Sequence, residues 1–135
     1  MLYRAIAVGV VGGALTAWIG WSSLIPDAVA FHTVALTLIA AIYLGFAFQD
    51  GRVSIVILEM SVATGFVVLA LLGLWLAPAF LAVGLILHAG WDLAHRPRGV
   101  KTQLPGWYPP FCAAFDFVFA GIFLLLADEL RRVAT

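Results

Sequence analysis

Long apolar runs alternate with short polar breaks along the whole chain, and the breaks divide it into five segments. These cover residues 1–21, about 27–48, about 52–76, about 78–95 and about 109–130. Most are close to the roughly 20 residues needed to cross bilayer hydrocarbon. Apolar residues surround each segment on all sides, so none has the polar face that a helix at a soluble surface would show. The breaks carry turn chemistry: Ser22 to Asp27 with Pro26, then Gln49-Asp50-Gly51, then Ala77-Pro78, then a polar loop from Arg96 to Tyr108. The predicted fold class is all-α: a polytopic transmembrane helical bundle of about five membrane-spanning helices, forming a single transmembrane helical domain over residues 1–135. Residues 1–21 also have the form of a secretory signal with a weak cleavage region at Ala14 to Ala17. We read them as the first transmembrane helix.

Composition agrees with this reading and excludes several classes. The chain is 64% hydrophobic and 10% charged, with mean hydropathy +1.11, far more apolar than a soluble domain. A transmembrane β-barrel would alternate apolar and polar residues, and this chain does not. Its formal net charge is +0, without a basic tail, so no nucleic acid is expected as a partner. The single cysteine, Cys112, rules out an internal disulfide. Gly9, Gly13 and Ala17 form a small-residue row on the first helix. Such a row admits a second helix at close range, either within the bundle or in a homo-oligomer through the first helix.

Threading the five segments through a bilayer puts Arg4, Arg52, Arg96, Arg98 and Lys101 on one side, with Arg131 and Arg132 on the other. The positive-inside rule then predicts a plasma (inner) membrane protein with a cytoplasmic N-terminus. At about 1.5 Å per residue, Glu59, His88 and Asp116 each lie roughly 10 Å in from the cytoplasmic ends of their helices. Polar groups from three helices thereby share one layer. His32 lies near the outer end of the second helix, at a depth unmatched to His88, which argues against a haem held by the two.

His88, Asp92 and His95 stand at i, i+4 and i+7, within about 60° of one another around a helix. Ionisable groups in hydrocarbon are costly unless paired, hydrated or bound to metal. Two imidazoles and a carboxylate suit Zn, Fe or Mn, with Glu59 or Asp116 as a further ligand or general base. The alternative is a polar network that only locks helix packing. Cys112 and Asp116 share a face of the last helix, and a buried thiol is more often a small apolar group than a nucleophile. Trp91, Trp107 and Tyr108 are expected in the aromatic belt at the membrane surface. Asp128 and Glu129 are expected to pair at the interface with Arg131 and Arg132.

The segment from about Gly45 to Leu126 resembles a family of small bacterial multi-pass membrane proteins without an assigned activity. The resemblance rests on Glu59, on the run from His88 to Pro97 with its HxxWDxxH pattern, and on the WYPPFC run from Trp107 to Cys112 followed by Asp116. It implies that these polar positions form one pattern, and it implies no reaction.

Three functional readings remain open on the sequence. The first is an integral membrane enzyme acting on a lipophilic small molecule or membrane lipid. Its catalytic residues would be Glu59, His88, Asp92 and Asp116, with a divalent metal on His88, Asp92 and His95. The second is a metal-free acid–base isomerase, cyclase or epoxide-opening enzyme of a lipid or terpenoid. The third is a non-enzymatic binding, transport or accessory subunit.

Overall fold

The structure, a computed structural model, describes residues 1–22, 24–95 and 99–133, and no side chain beyond residue 127. The placement of Arg96 and Arg98, and the expected pairing of Asp128 and Glu129 with Arg131 and Arg132, therefore lie outside the described residues. The chain folds as five α-helices: α1 (Leu2–Trp21), α2 (Ala28–Asp50), α3 (Val53–Trp75), α4 (Ala79–Ala94) and α5 (Tyr108–Val133). The described residues contain no strand. Helix ends follow from local chemistry. The Asp27 carboxylate caps α2 by accepting from the Ala30 N–H at 2.9 Å. Gly51, at φ 76°, ends it in the left-handed conformation that favours glycine. Pro109 and Pro110 fall in the first turn of α5, where a missing N–H costs nothing.

Four of these helices, α1, α2, α3 and α5, are long and apolar enough to cross a membrane. Large apolar side chains such as Val8, Leu15, Leu38, Ile57, Val68 and Leu125 lie exposed on the bundle's outer surface, as suits a protein whose solvent is lipid. The fourth helix is different. It has 16 residues, rises only about 24 Å and falls short of the length that a full crossing demands.

The helices pack in a sequence that places the site. The largest interface joins α1 to α5, α2 packs on α3, and α4 lies against both α5 and α3. Gly9, Gly13 and Ala17 are buried. A Cβ on Gly9 would overlap the Phe111 carbonyl oxygen, and one on Gly13 that of Phe115. The small-residue row of α1 is therefore filled by α5 within the chain, and the two helices run in the same direction. Gly13→Val is expected to force them apart, because the obstacle is backbone rather than a flexible side chain. Overpacking of this kind costs about 1–3 kcal/mol or more. Thermal unfolding in one detergent tests this against Gly121→Ala, where an added Cβ meets nothing within 4 Å. Equal midpoints for the two variants would refute the α1–α5 packing.

The turn Leu76–Pro78 is so short that α3 and α4 run antiparallel from a common start. Glu59 lies as many residues before Trp75 as His95 lies after Ala79, so the two meet at one depth. Seven residues further into the bundle, Phe66 of α3 meets His88 of α4, with ring centroids 4.9 Å apart. The shortness of α4 thus shifts the expected register. His95 occupies the layer of Glu59, and His88 lies about 10 Å deeper.

The chain after α4 turns back towards the bundle. The α2–α3 turn holds it there. Asp50 binds Arg52 through two hydrogen bonds of 2.6 and 2.7 Å, which raise the guanidinium's pKa. Arg52 donates in turn to the Lys101 carbonyl at 2.5 Å. Asp50 also accepts from the Gln103 N–H at 2.9 Å. Between these two anchors, Thr102 is delivered to the interior.

Candidate functional site

Two buried polar groups lie one above the other. The shallower is centred on Glu59, whose side chain is fully enclosed. Its Oε1 accepts from Thr102 Oγ1 at 2.5 Å and meets His95 Nε2 at 2.8 Å. Its Oε2 accepts from the Trp91 indole N–H at 3.1 Å. The other nitrogen of His95, Nδ1, faces the Trp91 carbonyl at 2.9 Å. Both ring nitrogens therefore face oxygen acceptors, an arrangement that an imidazolium satisfies with two donated hydrogen bonds. Glu59 is satisfied on both oxygens, and the arrangement ties α3, α4 and the following loop together.

The deeper group is His88, Asp92, Cys112 and Asp116, all buried. One potential ligand atom from each lies within 4.8 Å of the others. His88 Nδ1 is 2.7 Å from Asp116 Oδ2 and 3.6 Å from Asp92 Oδ2. Asp92 Oδ1 accepts from the Tyr43 hydroxyl at 2.6 Å. Three buried atoms, Asp92 Oδ2, Asp116 Oδ1 and His88 Nε2, have no hydrogen-bond partner among the described residues. Such orphans are rare in folded interiors, and each calls for a missing proton, water or ion. Even with a protonated His88, two ionised aspartates would leave one negative charge in the protein interior. The geometry accommodates either a proton or a cation.

Tyr43 joins the two groups. Its hydroxyl reaches Asp92, and its ring stacks on His95 with centroids 4.4 Å apart. Tyr108 packs edge-on against Tyr43 at 5.8 Å and accepts a weak hydrogen bond from the Cys112 thiol at 3.7 Å. Tyr108 is thus buried in the core rather than at the membrane surface. Trp91, also expected at the surface, spends its indole N–H on Glu59. Trp107 is 48% exposed.

A cavity of about 750 Å³ opens beside these groups. Its walls are the start of α1 (Leu2, Ile6), the loop after α4 and the first three turns of α5 (Pro109 to Phe117). Asp92, His95 and Thr102 also line it. Leu2, Ile6, Leu93 and Phe117 are exposed large apolar residues, so this side of the cavity faces the surroundings of the bundle. Glu59, His88 and Asp116 lie behind it and are absent from its lining.

Over residues 3–129 the chain matches the model of DUF6010, described as a family of unknown function. The chain belongs to this family. The match extends beyond the segment whose motifs carry the resemblance seen in the sequence. No curated protein and no solved structure matches the chain.

Of the candidate site residues read from the sequence, Glu59, His88, Asp92, His95, Cys112 and Asp116 each enter one of the two groups, and His32 enters neither. The division is new. His95 joins Glu59, and Cys112 takes the fourth place beside His88, Asp92 and Asp116. Tyr43 and Thr102 were missed. Tyr43 lies about 12 Å into α2 from Gly51, and a tyrosine hydroxyl at that depth needs a partner. That was a readable signal. Nothing in the sequence marks Thr102, which is brought inside by hydrogen bonds to the α2–α3 turn.

Proposed function

We propose that this membrane protein is an enzyme acting on a lipophilic substrate that enters sideways from the bilayer. The observation that carries the reading is the meeting of an apolar-walled cavity with buried ionisable groups at Asp92 and His95. The volume is of the size that houses lipid-like small molecules. Asp92 is the residue common to the cavity and the deeper group, so it is the group that reaches substrate. His95, held by Glu59, borders the cavity beside it. His88 and Asp116 stand behind Asp92, and the Tyr43 hydroxyl fixes its carboxylate.

A divalent ion would be held by His88, Asp92, Cys112 and Asp116, a nitrogen, oxygen and sulfur set suited to Zn or Fe. Its chemistry would be Lewis-acid polarisation of a substrate oxygen next to Asp92. A metal-free reading has its own support. His88 Nδ1 already sits at hydrogen-bond distance from Asp116, the pairing that orients a histidine for acid–base work. The expectation for topology is a plasma-membrane protein with its N-terminus and the cavity on the cytoplasmic side, supported by the basic residues of the connecting loops.

The test is lipid turnover. Purified protein in nanodiscs of total bacterial lipid extract is incubated with Zn²⁺, Fe²⁺ or chelator, and the lipids are compared by mass spectrometry. The wild type is expected to convert a component that Asp92→Asn and the cavity-filling Ala113→Phe leave unchanged. Lipid that binds wild type but not Ala113→Phe, with no product under any condition, would replace the enzyme reading with that of a binding or accessory subunit.

A further inference from the structure

A second polar site lies at the other end of the bundle, around His32. This ring is completely buried, in the first turns of α2. Phe119 stacks on it at 4.8 Å, Phe123 lies at 4.6 Å, Phe31 at 5.6 Å and Trp21 at 5.9 Å. His32 Nδ1 lies 2.6 Å from the Ala28 carbonyl oxygen. A carbonyl only accepts, so Nδ1 carries the proton. In the neutral ring Nε2 is then a bare acceptor, and it has no partner among the described residues. The Trp21 indole N–H, a donor only, is likewise buried and unpartnered. One orphaned donor and one orphaned acceptor stand on adjacent rings inside an aromatic shell.

Trp21 and Phe123 also form the wall of a second cavity, of about 370 Å³, with Val29, Pro78, Leu124 and Ala127. Water alone would be poorly housed among so many aromatic faces, since a buried water typically makes about three hydrogen bonds. A hydroxyl at the end of an apolar chain fits better. Its oxygen would accept from the Trp21 N–H and its proton would go to His32 Nε2, which lies outside the cavity's lining and is reached past Trp21, while its chain stays in the cavity. Trp21 is only half-buried at the end of α1, so its ring is the wall that can move to admit such a group. We infer that Trp21 and His32 form a binding site for a lipophilic alcohol, separate from the cavity at Asp92.

The chemistry supplies the control. A long-chain methyl ether accepts from Trp21 as the alcohol does but has no proton for His32 Nε2. Equilibrium binding of 1-hexadecanol and of its methyl ether to the detergent-purified full chain is measured by native mass spectrometry. The alcohol is expected to bind about tenfold tighter, the effect of a buried hydrogen bond made rather than left open. His32→Leu is expected to abolish that preference while Asp92→Asn keeps it, which separates this site from the first. Trp21→Phe, which removes only the donor, should weaken alcohol and ether alike, and it serves as the variant where His32→Leu fails to fold. Equal binding of alcohol and ether by the wild type, or a preference that survives His32→Leu, overturns the inference. So does alcohol binding unaffected by Trp21→Phe.

Discussion

Glu59→Ala is expected to cost the bundle about 3–5 kcal/mol, the range for removing one partner of a buried ion pair. The loss is large because three donors depend on one carboxylate. His95, Trp91 and Thr102 all point at it, from the end of α4 and from the loop beyond. With Glu59 gone, each loses its acceptor, and the His95 and Thr102 side chains are buried. Glu59→Gln keeps the volume but presents an N–H₂ where every neighbour also donates, so it should recover little. The double variant Glu59→Leu with His95→Leu removes both partners of the pair and should be less damaging than Glu59→Ala. Thermal unfolding in a single detergent gives the ranking. If Glu59→Ala unfolds at the wild-type midpoint, the enclosed pairing with His95 does not exist in the membrane protein.

If the deeper group takes up a divalent metal, His88→Ala is expected to bring the metal content to background. Metal content after loading and chelator washing measures this. The deeper group has three orphaned atoms, and a dication would neutralise two aspartates around a neutral imidazole. Asp116→Asn removes one of those charges and should weaken binding by about a hundredfold or more, since even supporting residues around a metal are worth 10- to 100-fold. The two ligand sets give opposite results at two positions. If the metal sits on His88, Asp92, Cys112 and Asp116, Cys112→Ala weakens it strongly and His95→Ala only slightly. If it sits on His88, Asp92 and His95, the order reverses. Wild-type protein that stays at background after loading leaves the metal-free acid–base reading. His32→Ala, at the far end of the bundle, should change nothing.

Much of this was legible from spacing alone. Helix count and the breaks between helices followed from apolar run lengths, but the single layer expected to join α3, α4 and α5 is split into an α3–α4 group around Glu59 and an α4–α5 group around His88. The error was one of origin. Depth along α4 was counted from its polar end at His95, as if that end reached the membrane surface. Counting from the tight turn at Ala77 and Pro78 would have paired His95 with Glu59 and placed His88 beside Phe66. A helix of 16 residues is shorter than a full crossing, so its two ends cannot both serve as the origin of depth. Which carboxylate meets which imidazole, and the entry of Thr102, depend on that offset. Cys112 was readable as a neighbour of Asp116 on one helix face, but its proximity to His88 depends on how α4 meets α5.

The pairing of α1 with α5 also bears on how the protein is made. Its first and last helices share the most extensive interface, while α1 barely touches α2. A chain emerging from the ribosome therefore inserts α1 long before its partner exists. The α2–α3 hairpin can close early, but the glycine face of α1 must wait in lipid until α5 arrives. Assembly of the bundle is thus completed only after the last helix has entered the bilayer. The pocket walls at Leu2 and Ile6 come into place at that same final step, so a nascent chain stalled before α5 has neither cavity nor complete polar centre.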